Sequence, residues 1–332
     1  MILKKLNQRT WQVIKSLSDS LSISEISRKT GIPKTTVWRI INEILSLTRV
    51  RFVVSSRALR LRPLVAIFDK GPTLLPDYTI SYREILVSGR KMHMTIGFVP
   101  DEYISEYINL FDEEPLYVFE NEEKFIWKPN VAERMKVLSF ENGEIKINYD
   151  ILERIKSKAE KKTSSGIDLY DLYIIRWKEH FAFTSLTEIQ EKMYKEKIIA
   201  SRQLLSYHFR KHVLPLWIGN TVKLYRPMRE YPIRMFVYEC DNAEEVAFKL
   251  SLLPYVYTIY FSSKTIFFTG QPSSKEVFNL YDKILSEYNP TPLLCEAYIK
   301  PSFYKFVIRY NELWNKSWKK PTIAYKIKVK GK

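Results

Sequence analysis

Apolar residues near the start of the chain return at helical spacing: Leu6, Val13, Ile14 and Leu17 predict an amphipathic helix. Ser22 and Glu25 then stand three apart, the spacing of a capping box, in which the serine hydroxyl takes the amide of Glu25 and the carboxylate reaches back. The short helix that follows is predicted to stop at Gly31, where the chain can turn left-handed. Pro33 suits the first turn of the next helix, "KTTVWRIINEIL". Ile26, Ile32, Val37 and Ile40 are spaced so that the two helices cross and share a core. The period then changes to two. "RVRFVVSSRALRLRP" alternates cationic and apolar positions and predicts a β-wing or extended arm.

The same order is written again. Ser185 and Glu188 repeat the capping spacing, and Ile189 takes the place of Ile26. "DLYDLYIIRWKEHF" supplies the helix before it, "ASRQLLSYHFRKHVL" the helix after it, and "PLWIGNTVKLYRP" predicts a hairpin wing turning at Gly219-Asn220. Downstream, residues 84–111 line up with 258–285. Each stretch is strand, turn, strand, Gly/Pro turn and acidic amphipathic helix, followed by a Pro-Leu strand and preceded by another strand. In the second copy "NAEEVAFKLSLL" completes a β-α-β-β-α-β order, the split ferredoxin-like unit. In the first, "KGPTLLPDYT" stands where that helix would be.

The expected class is α+β, with two winged helix-turn-helix domains and two ferredoxin-like βαββαβ domains in tandem duplication. The boundaries are 1–62 for the first winged domain and 63–131 for a degenerate ferredoxin-like domain. A linker with hairpin and helix takes 132–166, including an Asn142-Gly143 turn, the helix "YDILERIKSKAEKK" and a "TSSG" stop. The second winged domain is 167–229, the second ferredoxin-like domain 230–300, and a basic segment 301–332.

Charge sharpens this picture. The net charge of +16 is unevenly placed: residues 1–62 hold 13 Lys/Arg against 3 acids, while residues 63–131 hold 6 against 12. The final segment, 301–332, holds 9 against 1. Alternating blocks of this kind are expected where some modules meet a polyanion and others do not. On the second helix of the first unit Lys34, Thr35, Thr36, Trp38, Arg39 and Asn42 are left outward, with Arg49, Arg51 and Arg57 in the wing. Their counterparts in the second unit are Ser201, Arg202, Gln203, Ser206 and Arg210, with Lys223 in its wing. Side chains of these types reach base edges and phosphates in a major groove, so the expected partner is double-stranded DNA. The tail, with Trp318, Tyr325 and seven lysines, reads equally as a backbone-binding arm or a solvated end.

The order of elements, and above all "EEVAFKLSLLPYVYTIYFSSKTIFFTG", resembles the leucine-responsive/AsnC (feast–famine) regulators. The resemblance implies a transcription regulator that dimerises through its ferredoxin-like domains and takes a small-molecule effector. Where the family carries a Gly and an Asp near its effector site, this chain has the loops "SGRK" (88–91) and "SSKT" (262–265), a departure that argues against amino-acid sensing. One chain carrying both halves would imitate a dimer and read two unlike half-sites. A replication initiator with paired winged helices, or an adaptor whose winged helices bind proteins, would carry the same residues.

Other chemistry is sparse. There is no phosphate loop, nucleophile elbow or zinc-ligand cluster among the motifs, so neither enzymatic activity nor a cofactor is expected. His208 and His212 stand at i, i+4 and could share a metal, but no acid or cysteine is near them in sequence, so no metal is expected and they are read as flanking the second recognition helix. Cys240 and Cys295 are too few for a disulfide scaffold and are read as buried small hydrophobes on adjacent strands. With no run of about 18 apolar residues and no signal-peptide core at the start, a cytosolic location is expected.

Overall fold

The first helices form where the capping chemistry places them. The computed structural model describes residues 6–156 and 166–327. Helix Gln8–Leu17 is capped by Asn7, and helix Ile23–Thr30 by Ser22, whose hydroxyl accepts the Glu25 amide. The Glu25 carboxylate reaches one residue further back than a capping box requires, to the Leu21 amide at 2.8 Å. Gly31 ends the helix at φ 70°, in the left-handed region, and helix Lys34–Leu45 follows. Ile14, Ile26, Val37 and Ile41 of these helices are wholly buried, as is Trp11, whose ring stacks on Phe140. The second set is Leu169–His180, Leu186–Lys195 and Arg202–His208, the last running on through a π-helical turn, Phe209–Val213. Ser185 and Glu188 make the reciprocal box.

The protein is α+β with a large antiparallel sheet. In chain order the strands are β1 (Arg51–Val54), β2 (Leu61–Phe68), β3 (Leu74–Pro76), β4 (Thr79–Val87), β5 (Arg90–Pro100), β6 (Tyr117–Glu120), β7 (Glu123–Phe125), β8 (Leu138–Glu141) and β9 (Glu144–Ile147). There follow β10 (Trp217–Thr221), β11 (Ile233–Glu239), β12 (Val256–Phe261), β13 (Thr265–Gly270), β14 (Thr291–Lys305) and β15 (Ile323–Lys326). Nine strands form one sheet in the order β6-β2-β5-β4-β14-β11-β13-β12-β7. It contains two quartets with the same internal order, joined edge to edge by β4 and β14, where Val87 faces Ala297 and Ile85 faces Ile299. The edges that could have met a second chain there are used within this one.

The sheet also wraps round on itself. β6 lies at one end of it and β7 at the other, yet only Asn121 and Glu122 separate them in the chain. The Asn121 amide donates to Pro63 O at 2.9 Å and the Glu122 amide to Phe261 O at 2.8 Å, so this short link ties the two ends together.

Three sequence expectations change here. The predicted wings do not project. β1 pairs antiparallel with β10, Phe52 opposite Asn220 and Val53 opposite Gly219, and the stretch from Leu61 belongs to the central sheet. Gly219-Asn220 is thus mid-strand and not a hairpin turn. Gly219 holds φ 136°, and a Cβ there would lie 2.9 Å from Ile126 Cδ1 and 3.0 Å from Ser18 O, so only glycine lets the strand come this close. The tail is neither a free arm nor a solvated end. Trp318 is buried and donates its indole N–H to Leu59 O at 2.8 Å, and β15 pairs with β3. Cys240 is buried but Cys295 is exposed, because its position on β14 points away from the core.

The linker hairpin β8–β9 turns at Asn142 (φ 53°) and Gly143 (φ 84°), and helix Tyr149–Arg154 follows. That predicted helix ends early, at extended Ile155; its residues 157–162 and the Thr-Ser-Ser of the stop lie outside the described residues, as do the last lysines of the tail. Among the described residues no helix is long and apolar enough to cross a membrane.

Candidate functional site

Five cations from five separate elements converge. Arg51 comes from β1, Arg83 from β4, Lys124 from β7, Lys223 from the segment after β10, and Lys305 from the end of β14. Register brings Arg83 and Lys305 together, because Lys305 is opposite Ser81 and Arg83 is two residues along the same strand. Lys223 is tethered by a 3.2 Å hydrogen bond to Thr258 Oγ1 at the start of β12. Lys124 reaches across the wrapped sheet, its Nζ 4.6 Å from the ring centroid of Phe98 on β5.

The titration of these groups describes their surroundings. Lys223 is held well below the ordinary lysine range, first by burial and then by Arg51, Arg83 and Lys305, all cations. Lys305 is pushed down to about 7 by burial and then by Arg51, Arg49 and Arg83. Burial also lowers Arg51, Arg83 and Lys124. Yet Lys305 is exposed, and the other four keep partial access to solvent. Partly desolvated yet open to solvent, these side chains form a cluster with a large excess of positive charge.

The carboxylates that bear on it are few. Glu179, near the end of helix Leu169–His180, is raised by burial and opposed by Lys124, by a hydrogen bond from Tyr310 and by Arg51. The Tyr310 hydroxyl donates to it at 3.0 Å. Glu123 also acts on Lys124, but its oxygens already accept from the Ser56 amide at 2.9 Å and the Ser56 hydroxyl at 2.7 Å. Tyrosines line the rest. Tyr225 and Tyr260 are raised by burial and so stay protonated donors. Tyr257 packs edge-on against Tyr225 at 5.0 Å and commits its hydroxyl to Gln271 and Leu224. An accessible, low-dielectric site with this charge can attract and hold an anion of several charges. Lys305, near neutrality, and the part-buried Glu179–Tyr310 pair can exchange protons with it.

Of the residues singled out in the sequence, Arg51 and Lys223 belong to this cluster, and Arg49 is close enough to act on Arg51 and Lys305. The others lie elsewhere. Lys34, Thr35, Trp38, Arg39 and Asn42 are exposed on helix Lys34–Leu45, with Thr36 half-buried beside them. Arg39 is paired with Glu43 at 2.9 Å, and Arg57 is paired with Glu122. Ser201, Arg202, Gln203 and Arg210 are exposed and Ser206 is half-buried. Sequence reasoning missed Arg83, Lys124, Glu179, Lys305 and Tyr310. Arg83 left a trace, as a lone cation in the apolar alternation of "SYREILV".

The expectation that no acid stands near His208 and His212 is also corrected. Asp171, from helix Leu169–His180, lies 2.9 Å from His208 Nδ1 and 3.1 Å from His212 Nδ1. A separate hollow of about 300 Å³, between Asp77, Arg309, Lys319 and Tyr325, mixes both signs of charge and lies among the tail residues.

No protein-family model matches the chain, and no curated protein does. Two solved structures are similar to it, both of the siroheme decarboxylase NirDL, one of them in co-complex with an iron-uroporphyrin III analogue. Each is 11% identical, with TM-scores of 0.43 and 0.44. The matches cover 90% of this chain and 93% of that one, and 89% and 92%. These neighbours are enzymes, and nothing found points to a DNA-binding regulator. The expectations of a leucine-responsive/AsnC-type transcription regulator, of a replication initiator, of double-stranded DNA as partner and of no enzymatic activity are corrected accordingly. The physical counterpart is in the wings: β1 and β10 satisfy each other's backbone, and Arg51 and Lys223 turn inward. A likeness of this strength assigns no activity to this chain.

Proposed function

We propose that the chain is an enzyme whose substrate is a polycarboxylate, held by Arg51, Arg83, Lys223 and Lys305. The observation that carries this is Lys223, desolvated among three other cations. Such a cluster destabilises the empty protein and is relieved when carboxylates enter. The arginines suit bidentate carboxylate contacts. Phe98, Tyr225 and Tyr260 offer ring surface to an apolar body between the carboxylates, and Tyr260 lies edge-on to Phe98 at 5.8 Å. Lys305 and the Glu179–Tyr310 pair are the proton-exchanging groups.

The common internal order of the two strand quartets supports two ferredoxin-like units, and the two three-helix sets support two winged units, with the boundaries given above. In this arrangement the two wings pair with each other through β1 and β10.

The test is calorimetric titration of the full chain with citrate, tripolyphosphate and iron-uroporphyrin III, a flat macrocycle with carboxylates on its rim. Binding of a polycarboxylate that falls at least tenfold in Lys223→Met and Arg51→Gln supports the reading. No carboxylate binding, or binding unchanged in both variants, overturns it, and preference for tripolyphosphate would replace the polycarboxylate with a phosphate ester.

A further inference from the structure

A second cluster, distinct from the cation cluster, lies at the other end of helix Leu169–His180. Asp171 is wholly buried there. Its Oδ1 is 2.9 Å from His208 Nδ1 and its Oδ2 3.1 Å from His212 Nδ1, while Asp168 Oδ1 lies 3.5 Å from His208 Nδ1. One donor atom from each of Asp171, His208 and His212 lies within 4.8 Å of the others. We propose that Asp171, His208 and His212 form a binding site for a divalent transition-metal ion of the zinc class.

Geometry is the first support. Zinc bonds to imidazole nitrogen and carboxylate oxygen of about 2.0–2.2 Å give a tetrahedron with donor–donor edges of about 3.3 Å. One donor atom from each of the three residues lies within 4.8 Å of the others, a wider set than that tetrahedron, so an ion would draw them together and replace the hydrogen bonds between Asp171 and the two imidazoles.

Local backbone is the second. His208 closes helix Arg202–His208 and His212 sits in the π-helical turn Phe209–Val213. That turn replaces the regular helical step between the two histidines, and both Nδ1 atoms face one carboxylate. π-turns of a single step are concentrated at functional sites.

The third support is charge. Asp171 is wholly buried, and its ion-pair partners among the described residues are the two histidines rather than a lysine or arginine. A divalent cation would compensate the buried carboxylate. Two nitrogens and one oxygen favour zinc, cobalt or nickel over calcium or magnesium. His212 is only partly buried and gives the ion its way in. Asp168 or water supplies the fourth position.

The experiment uses the full chain without a histidine tag, stripped with chelator and titrated with Co²⁺, whose visible absorption reports tetrahedral nitrogen and oxygen ligation. The expected result is one Co²⁺ per chain, displaced by Zn²⁺, with affinity reduced at least tenfold in both Asp171→Asn and His212→Ala. His212→Ala alters a partly exposed position, and circular dichroism checks its fold. Cobalt binding that is absent from the folded wild type, or that keeps wild-type affinity in either folded variant, would overturn the proposal. Neither result bears on anion binding at Lys223.

Discussion

The rings of Phe98 and Tyr260 lie 5.8 Å apart and nearly perpendicular, although four strands stand between β5 and β12 in the sheet. This contact exists because the sheet is wrapped and its ends are tied through Asn121 and Glu122. Wrapping turns residues remote along the sheet into neighbours in one cluster. Lys124 then reaches Phe98, and Lys223 meets Thr258.

Lys223→Met should have opposite effects on stability and binding. Removing a desolvated cation from among Arg51, Arg83 and Lys305 should raise the melting temperature of the empty chain by about 2–4 °C, or about 1 kcal/mol. The same substitution should weaken polycarboxylate binding at least tenfold. Scanning calorimetry with and without citrate checks both signs. A lower melting temperature in the empty variant would contradict the charge argument.

Lys305 should make stability depend on pH. Its folded value lies near 7, against an ordinary 10.5. Below pH 7 it is protonated in both states and its destabilising effect is fully present. Between pH 7 and 10.5 the unfolded chain holds the extra proton, so stability rises with pH across that window. Lys305→Met should flatten this part of the curve. An anion that favours charged Lys305 should be taken up with a proton near pH 8, seen as heats that depend on the buffer, and this uptake should vanish in the variant.

Asn220 shows what a mid-strand position costs. Its side-chain amide donates to Leu17 O at 2.9 Å and Ser20 O at 2.6 Å, and its backbone amide to Ser18 O at 2.9 Å. Asn220→Ala should strip two buried carbonyls of a partner and destabilise the fold by about 1–3 kcal/mol for each group left unsatisfied. Urea unfolding measures this. A change within error would mean that water replaces the amide.

Trp318 tests whether the tail is structural. Its ring packs on Tyr78, Tyr310 and Trp314, and its N–H holds Leu59 O. Trp318→Ala should cost about 3–5 kcal/mol, and should also loosen Tyr310 and so the hydrogen bond to Glu179. Unfolding indistinguishable from wild type would return the tail to the solvated reading.

Much local structure could be read directly. The stops and starts at Ser22, Gly31, Ser185 and Asn142-Gly143 are set by neighbours within five residues, and each forms. The wings were misread for a physical reason. Alternation in "RVRFVV" states that a strand has two faces, not which strand it pairs with, and its partner β10 lies more than 160 residues away. Exposed cations on Lys34–Leu45 looked like a binding surface because charge marks a face without naming its use. The cation cluster was hidden because its charges come singly, one per element, with no local motif.

From the sequence alone came the helices, their caps, the strand alternation and the uneven charge, because those follow from dihedral preference and hydrophobic period over a few residues. Tertiary structure alone decided that β1 joins β10, that β6 and β7 close the sheet, and that Arg51, Arg83, Lys223 and Lys305 meet. The reason is that register and closure are settled by packing across the whole molecule, and a buried charge acquires its chemistry only from the neighbours that packing brings.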